Sequence, residues 1–144
     1  MEKNLNYLIN KANILRKHVI EMVARQGKGY VQQGLGASDL FSVLFFDELK
    51  NINIVSNINR DRFFLSTAHN SALFHATMAE KGLINIDSLE DYCLDGSPLE
   101  INVSERLGPF VEATCGSLGQ GFSVAIGMAL SAKRRKLKSR FYVI

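Results

Sequence analysis

The sequence predicts an α/β fold, a parallel sheet flanked by helices, and three features point to it. Two short β signals, Phe63–Ser66 and Arg140–Ile144, are separated by segments of helical period, which is the alternation of a parallel sheet. A glycine-bearing turn, Gly116 to Gly121, opens directly into one of those helical segments. The helical segments also carry more apolar surface than two strands could cover. The fold therefore reads as incomplete at its C-terminus, either unfinished or completed by a partner, with residues 1–144 forming part of a single domain.

Taken in order, residues 3–27 place Leu5, Leu8, Ile9, Ala12, Leu15, Val19, Met22 and Val23 at three-and-four spacing. That marks an amphipathic helix, which Gly27 and Gly29 would end. His18 falls just off the apolar row and reads as a boundary residue. Residues 28–37 read as a three-glycine loop, with Ser38 as N-cap and Asp39 in the first turn of the next helix. Leu40 to Leu49 is apolar on nearly every side, so that helix is expected to be buried. A polar connection, Asn51 to Asn59, leads through Arg60-Asp-Arg to the first strand; those charges read as a structural ion pair or cap. A helix over 70–81, closed by Gly82, puts His69 at the carboxyl end of a strand, where α/β proteins bind ligands. His75, six residues on, cannot share a helix face with His69 as a metal pair would and reads as structural. A short helix over 87–95, with Asp87 as its N-cap, precedes an irregular stretch over 96–109, and stretches of that length inside a domain are often functional.

The glycine turn has its own chemistry. Gly116, Gly119 and Gly121 remove side chains where backbone N–H groups could approach a ligand, and the positive end of the following helix suits a phosphate. Leu118, Phe122, Ile126 and Leu130 recur at every fourth position and are expected to be buried. Beside them Gly119, Ser123, Gly127 and Ser131 form a row of small residues that would let another backbone pack close.

Composition narrows the function classes. The chain of 144 residues is 47% hydrophobic and 22% charged, values of a globular domain rather than a disordered one. Seventeen basic residues against fourteen acidic give +3, much of it in the run Lys133 to Arg140. That run has no interleaved aromatic residues to stack on bases, so it reads as a solvated helix end and no nucleic-acid partner is expected. Cys93 and Cys115 lie far apart without metal spacing, which suits a reducing compartment. No segment has the length of a membrane span and the first residues hold no apolar signal region, so no membrane partner is expected and the location is expected to be cytoplasmic.

Three stretches together resemble the transketolase family. Gly116-Ser-Leu-Gly-Gln-Gly, followed by Ala125-Ile-Gly-Met-Ala, is similar to its Gly-x-Leu-Gly-Gln-Gly segment. Arg60-Asp-Arg-Phe-Phe-Leu-Ser-Thr-Ala-His69 resembles its Arg-Asp-Arg-Phe…Ser…Gly-His segment, and Lys28 to Leu40 its first glycine-rich loop. The resemblance runs over roughly residues 10–144 and is to the amino-terminal part of the family, the diphosphate-binding subunit where the enzyme is split. It implies a thiamin diphosphate-binding fold and transfer of a two-carbon ketol unit from a ketose to an aldose phosphate, with thiamin diphosphate and Mg²⁺ as cofactors. It also implies a carboxy-terminal subunit carrying the pyrimidine-binding domain as partner in a hetero-oligomer, and sugar phosphates as substrates. By the match, Gly116, Ser117 and Leu118 are cofactor-binding, with backbone groups of Gly116 and Leu118 on the aminopyrimidine side. His69 is both cofactor-binding and catalytic, near the diphosphate and the reacting carbons.

The departures from the family are equally specific. Tyr30 stands where most members carry the histidine of Gly-His, and Asn102 where they carry that of Gly-His-Pro. Both are candidate substrate contacts, able to hydrogen-bond but not to act as acid–base groups near neutral pH. The family's metal motif, Gly-Asp-Gly with a later asparagine, is expected beyond Ile144, so residues 1–144 alone are expected to hold the cofactor poorly and to be inactive in isolation. The competing class is a shortened, non-catalytic relative that pairs with another protein through the small-residue row of Gly119 to Ser131. A sister enzyme such as 1-deoxyxylulose-5-phosphate synthase fits less well, since that family places a histidine-serine segment at the glycine turn.

Overall fold

The computed structural model describes residues 2–144. The chain is arranged as two compact units, one from residues up to Glu48 together with His69–Ile101, the other from Leu49–Ala68 and Asn102–Ile144. Its α/β class is as the sequence predicts, with helices accompanying a small parallel sheet.

In the helical unit, α1 (Glu2–Gln26) buries Ala12, Leu15, Val19, Met22 and Val23 on one stripe. Leu5 and Ile9, which share the expected row, are exposed. Gly27, at φ +63°, closes the helix by donating its N–H to the Val23 carbonyl at 2.8 Å. The loop expected over 28–37 is shorter, because α2 (Val31–Val43) already begins after Tyr30. Gly34 lies inside α2 and marks a close approach to α1. A Cβ there would sit 2.9 Å from Val19 Cγ1. Ser38 is therefore no N-cap: it is buried in mid-helix, its hydroxyl donating to the Gly34 carbonyl at 2.7 Å. The segment expected to be buried all round is two-faced. Phe41 and Phe45 are buried, Leu40 and Val43 are exposed, and a π-helical turn (Leu44–Glu48) ends it.

The third helix, α3 (Ser71–Glu80), follows a short 3-10 turn (Ala68–Asn70) and is buried from Ser71 to Ala79. Its last residue, Glu80, accepts from Lys11 at 2.7 Å and meets His18 Nε2 at 3.1 Å, tying α3 to α1. The helix expected over 87–95 is a 3-10 segment (Ile86–Asp91) whose cap is Asn85 rather than Asp87. The Asn85 side chain accepts the Asp87 N–H at 3.1 Å.

In the other unit, β1 (Arg62–Phe64) and β2 (Phe141–Val143) pair in parallel, with Arg62 opposite Phe141 and Phe64 opposite Val143. α4 (Gln120–Arg134) packs against both strands. Its buried face is Gly121, Ala125 and Ala132, which overturns the expectation that the row from Leu118 to Leu130 faces the core. Leu118 is 64% exposed, Phe122 56%, Ile126 46% and Leu130 58%. The reason is how near α4 lies to the chain leaving β1. A Cβ on Gly121 would be 3.0 Å from Ser66 Cα and 3.1 Å from Cys115 Sγ, so only small residues fit there.

The charges around β1 are structural, as expected. Glu112, its side chain 4% exposed, takes Arg60 in an ion pair and accepts from Arg62 Nη1 at 2.6 Å. Asp61 accepts the backbone N–H groups of Lys50 and Arg140, both at 3.0 Å. The basic run from Lys133 forms the exposed end of α4 and the turn after it.

Candidate functional site

His69 sits in the 3-10 turn at the head of α3 and is half-buried. Tyr30 is the residue immediately before α2. The fold brings these two together: their ring centroids are 4.7 Å apart at 81°, the edge of one ring on the face of the other. This contact was not readable from spacing, since 38 residues lie between the two in the sequence. Neither ring's polar atoms form a hydrogen bond among the described residues, so the imidazole nitrogens and the phenol are free to meet a ligand.

Gly116, Ser117 and Leu118 are all exposed and lead into α4 through Gly119, which adopts φ +88°. The expectation of a turn rich in unpaired N–H groups needs correction. Ser66 Oγ accepts from Gly119 N at 3.1 Å and from Phe122 N at 3.2 Å. Gln120 N donates to the Ser117 carbonyl at 3.2 Å, and Gly116 N to the Gln120 side chain at 3.3 Å. These four N–H groups are thus committed within the chain and are not open to a phosphate. The N–H and C=O of Leu118 make no hydrogen bond among the described residues, in a turn pinned at both ends.

Ser66 is the residue that sequence reasoning missed. It belongs to the matched Arg60–His69 stretch, but only the fold shows it capping a helix more than fifty positions later. Asn102 is exposed on a bend ahead of the 3-10 turn Glu105–Leu107.

His75 is fully buried, its Nε2 donating to the Glu100 carbonyl at 2.9 Å, and burial pushes its pKa down to about 4. It is a neutral core histidine, as the spacing argued. Burial also pushes the Cys93 and Cys115 thiols up, which keeps them protonated and unreactive at neutral pH. No group of three or more His, Cys, Asp or Glu side chains among the described residues could hold a metal ion. No helix among them is long and apolar enough to cross a membrane.

A small parallel sheet with a helix set tightly on it, among further helices, defines an α/β protein. Residues 9–141 match the transketolase thiamine diphosphate binding domain, and the chain belongs to that family. It is 33% identical over 138 residues to the 6-deoxy-6-sulfo-D-fructose transketolase subunit of Clostridium sp. (strain MSTE9), covering 95% of this chain and 50% of that one. It is 30% identical over 145 residues to an apulose-4-phosphate transketolase subunit of Actinobacillus succinogenes, covering 98% of this chain and 52% of that one. The transketolase of Campylobacter jejuni superposes with a TM-score of 0.85 at 28% identity, covering 96% of this chain and 23% of that one. The chain thus spans about half the length of the subunit relatives it matches.

Proposed function

We propose that the chain is the amino-terminal, diphosphate-side part of a split transketolase, active only with its partner subunit. The observation that carries this reading is the match of residues 9–141, which runs through both compact units, to a domain that binds thiamine diphosphate. We read both units as one such domain. Its reaction is transfer of a two-carbon ketol unit between sugar phosphates, in the cytoplasm.

The residues present fit the cofactor. The open backbone groups of Leu118 suit the aminopyrimidine, with Gly116 and Ser117 beside them in the same turn. His69, with both ring nitrogens uncommitted, suits the diphosphate side and can donate a hydrogen bond to negative charge that develops on the substrate. Thiamine diphosphate supplies the electron sink for carbon–carbon bond cleavage when it is bound. Tyr30, packed on His69, restricts the imidazole's orientation and offers its own hydroxyl to a sugar oxygen; Asn102 is a second candidate sugar contact. We place the oxygen ligands of the Mg²⁺ ion beyond Ile144, where the resemblance puts them. The exposed row of Leu118, Phe122, Ile126 and Leu130 supports a partner, since four large apolar side chains in line favour burial.

The test is calorimetry of thiamine diphosphate binding to this chain, carrying the downstream metal segment and assembled with a pyrimidine-domain subunit. Metal-dependent binding is expected, and His69→Ala should cut turnover while leaving assembly intact. A complex that forms but binds no cofactor with Mg²⁺ present would favour the non-catalytic interaction module instead.

A further inference from the structure

Tyr92 is a fully buried tyrosine directly after the 3-10 segment Ile86–Asp91. Its ring lies 5.8 Å from that of His75. Its hydroxyl fills the space where a side chain at Gly29 would go: a Cβ there would lie 2.8 Å from that oxygen and 3.1 Å from Tyr92 Cε1. Gly29 has φ +120°, so both its conformation and its surroundings exclude a side chain. The Tyr92 hydroxyl also neighbours the buried Ser71 hydroxyl and the Cys93 thiol. Neither oxygen has a well-aligned hydrogen-bond partner among the described residues. Gly29 immediately precedes Tyr30, and Ser71 follows His69 by two positions. The phenol oxygen therefore stands where the segment carrying Tyr30 meets the turn carrying His69.

A phenylalanine would fill the same volume without the cost of burying a poorly bonded hydroxyl. That cost needs a compensating role. We infer that Tyr92 is a positioning residue, whose hydroxyl holds the Gly29–Tyr30 segment against the His69–Ser71 turn and so fixes the edge-to-face contact of Tyr30 on His69. Its bearing on function rests on the reading of His69 as a cofactor-facing residue; the contact it controls does not. A side chain that orients the imidazole indirectly is the kind of support on which a pre-organised site depends.

The contact can be read by NMR without cofactor or partner, because the Tyr30 ring current shifts the His69 Cε1–H resonance. The chain has three histidines, so His18→Gln and His75→Gln variants assign the signal. Tyr30→Leu sets the position His69 takes when the ring is gone. Tyr92→Phe keeps the packing and removes only the hydroxyl, and is expected to move the His69 signal most of the way to that position with cooperative unfolding retained. If Tyr92→Phe does not fold, Ser71→Ala gives the same reading from the other side of the hydroxyl. A His69 resonance that stays at its wild-type position in whichever variant folds overturns the inference. Loss of cofactor binding in the assembled complex would leave this result untouched, so the two readings fail separately.

Discussion

At the scale of single residues, the chain uses buried charge to fix the start of β1. Arg60 and Glu112 are nearly inaccessible, with side chains 3% and 4% exposed, and Arg62 adds a second guanidinium to the same carboxylate. Arg60 Nε has no partner among the described residues, so Glu112 carries most of the compensation for that buried cation. Glu112→Gln keeps the shape and removes the charge, leaving Arg60 buried without a counter-ion. The expected loss is about 3–5 kcal/mol, read as a lower urea midpoint with an unchanged slope. A loss below about 1 kcal/mol would mean the pair is worth no more than a surface salt bridge. The sequence showed this cluster only in part. Arg60-Asp-Arg reads as charges poised for pairing, but their partner Glu112 lies fifty positions away and sits in the opening of the glycine motif, where chemistry draws the eye first. Ser66 was hidden for the same reason, because a hydroxyl that caps a helix from another segment has no local signature.

At the scale of elements, helix and strand positions were legible wherever the hydrophobic period decided them, and errors arose where glycine had two meanings. The period placed α1, α3 and β1 well. Gly34 and Gly36, read together as loop residues, are both inside α2, yet they do different things there. A Cβ at Gly36 would meet nothing, whereas one at Gly34 would strike Val19, a β-branched residue with no exposed surface and little rotamer freedom. The two positions should respond with opposite sign to the same substitution. Gly36→Ala is expected to stabilise by up to about 1 kcal/mol, the helix-propensity difference. Gly34→Ala gains the same propensity but overpacks the α1–α2 contact, at a cost of about 1–3 kcal/mol, so a net loss is expected. Urea titration of both variants decides it, and stabilisation by both would show that α2 can move away from α1 freely. The face of α4 was misread by the same ambiguity. Its small residues turn inward because close approach to Ser66 leaves no room for larger ones, and the regular row of large side chains is displaced outward. Periodicity identified the helix and two regular rows on it, but the face that meets the sheet is a third, Gly121, Ala125 and Ala132, and both rows are exposed.

At the scale of the whole molecule, ordered motifs revealed more than patterning did: three short stretches in the right sequence identified the family, while the alternation of elements gave only the α/β class. What no motif showed is how stability should depend on pH, which follows from the buried His75. His75 is held neutral in the core, with Nε2–H bonded to the Glu100 carbonyl and Nδ1 facing no partner among the described residues. Its pKa is about 4 in the folded chain and 6.5 when unfolded, so between those values the unfolded chain binds a proton that the folded one does not. Its contribution is fully present above pH 6.5 and is lost as the pH falls toward 4. Across that window the loss should approach about 3 kcal/mol, the free energy of a shift of this size. Glu80 acts in the same sense lower down. Burial opposes its ionisation, but hydrogen bonds and charge from Lys11 and His18 outweigh that and lower its pKa, so its stabilisation also disappears on acidification. Urea midpoints measured from pH 8 to 4 should therefore be flat at first and then fall steadily below about pH 6.5. His75→Leu removes the titrating group, and although it loses the bond to Glu100, its midpoint should fall less steeply over the upper part of that window. If wild type and variant lose stability in parallel between pH 6.5 and 5, His75 is not the group that sets the acid limit of the fold.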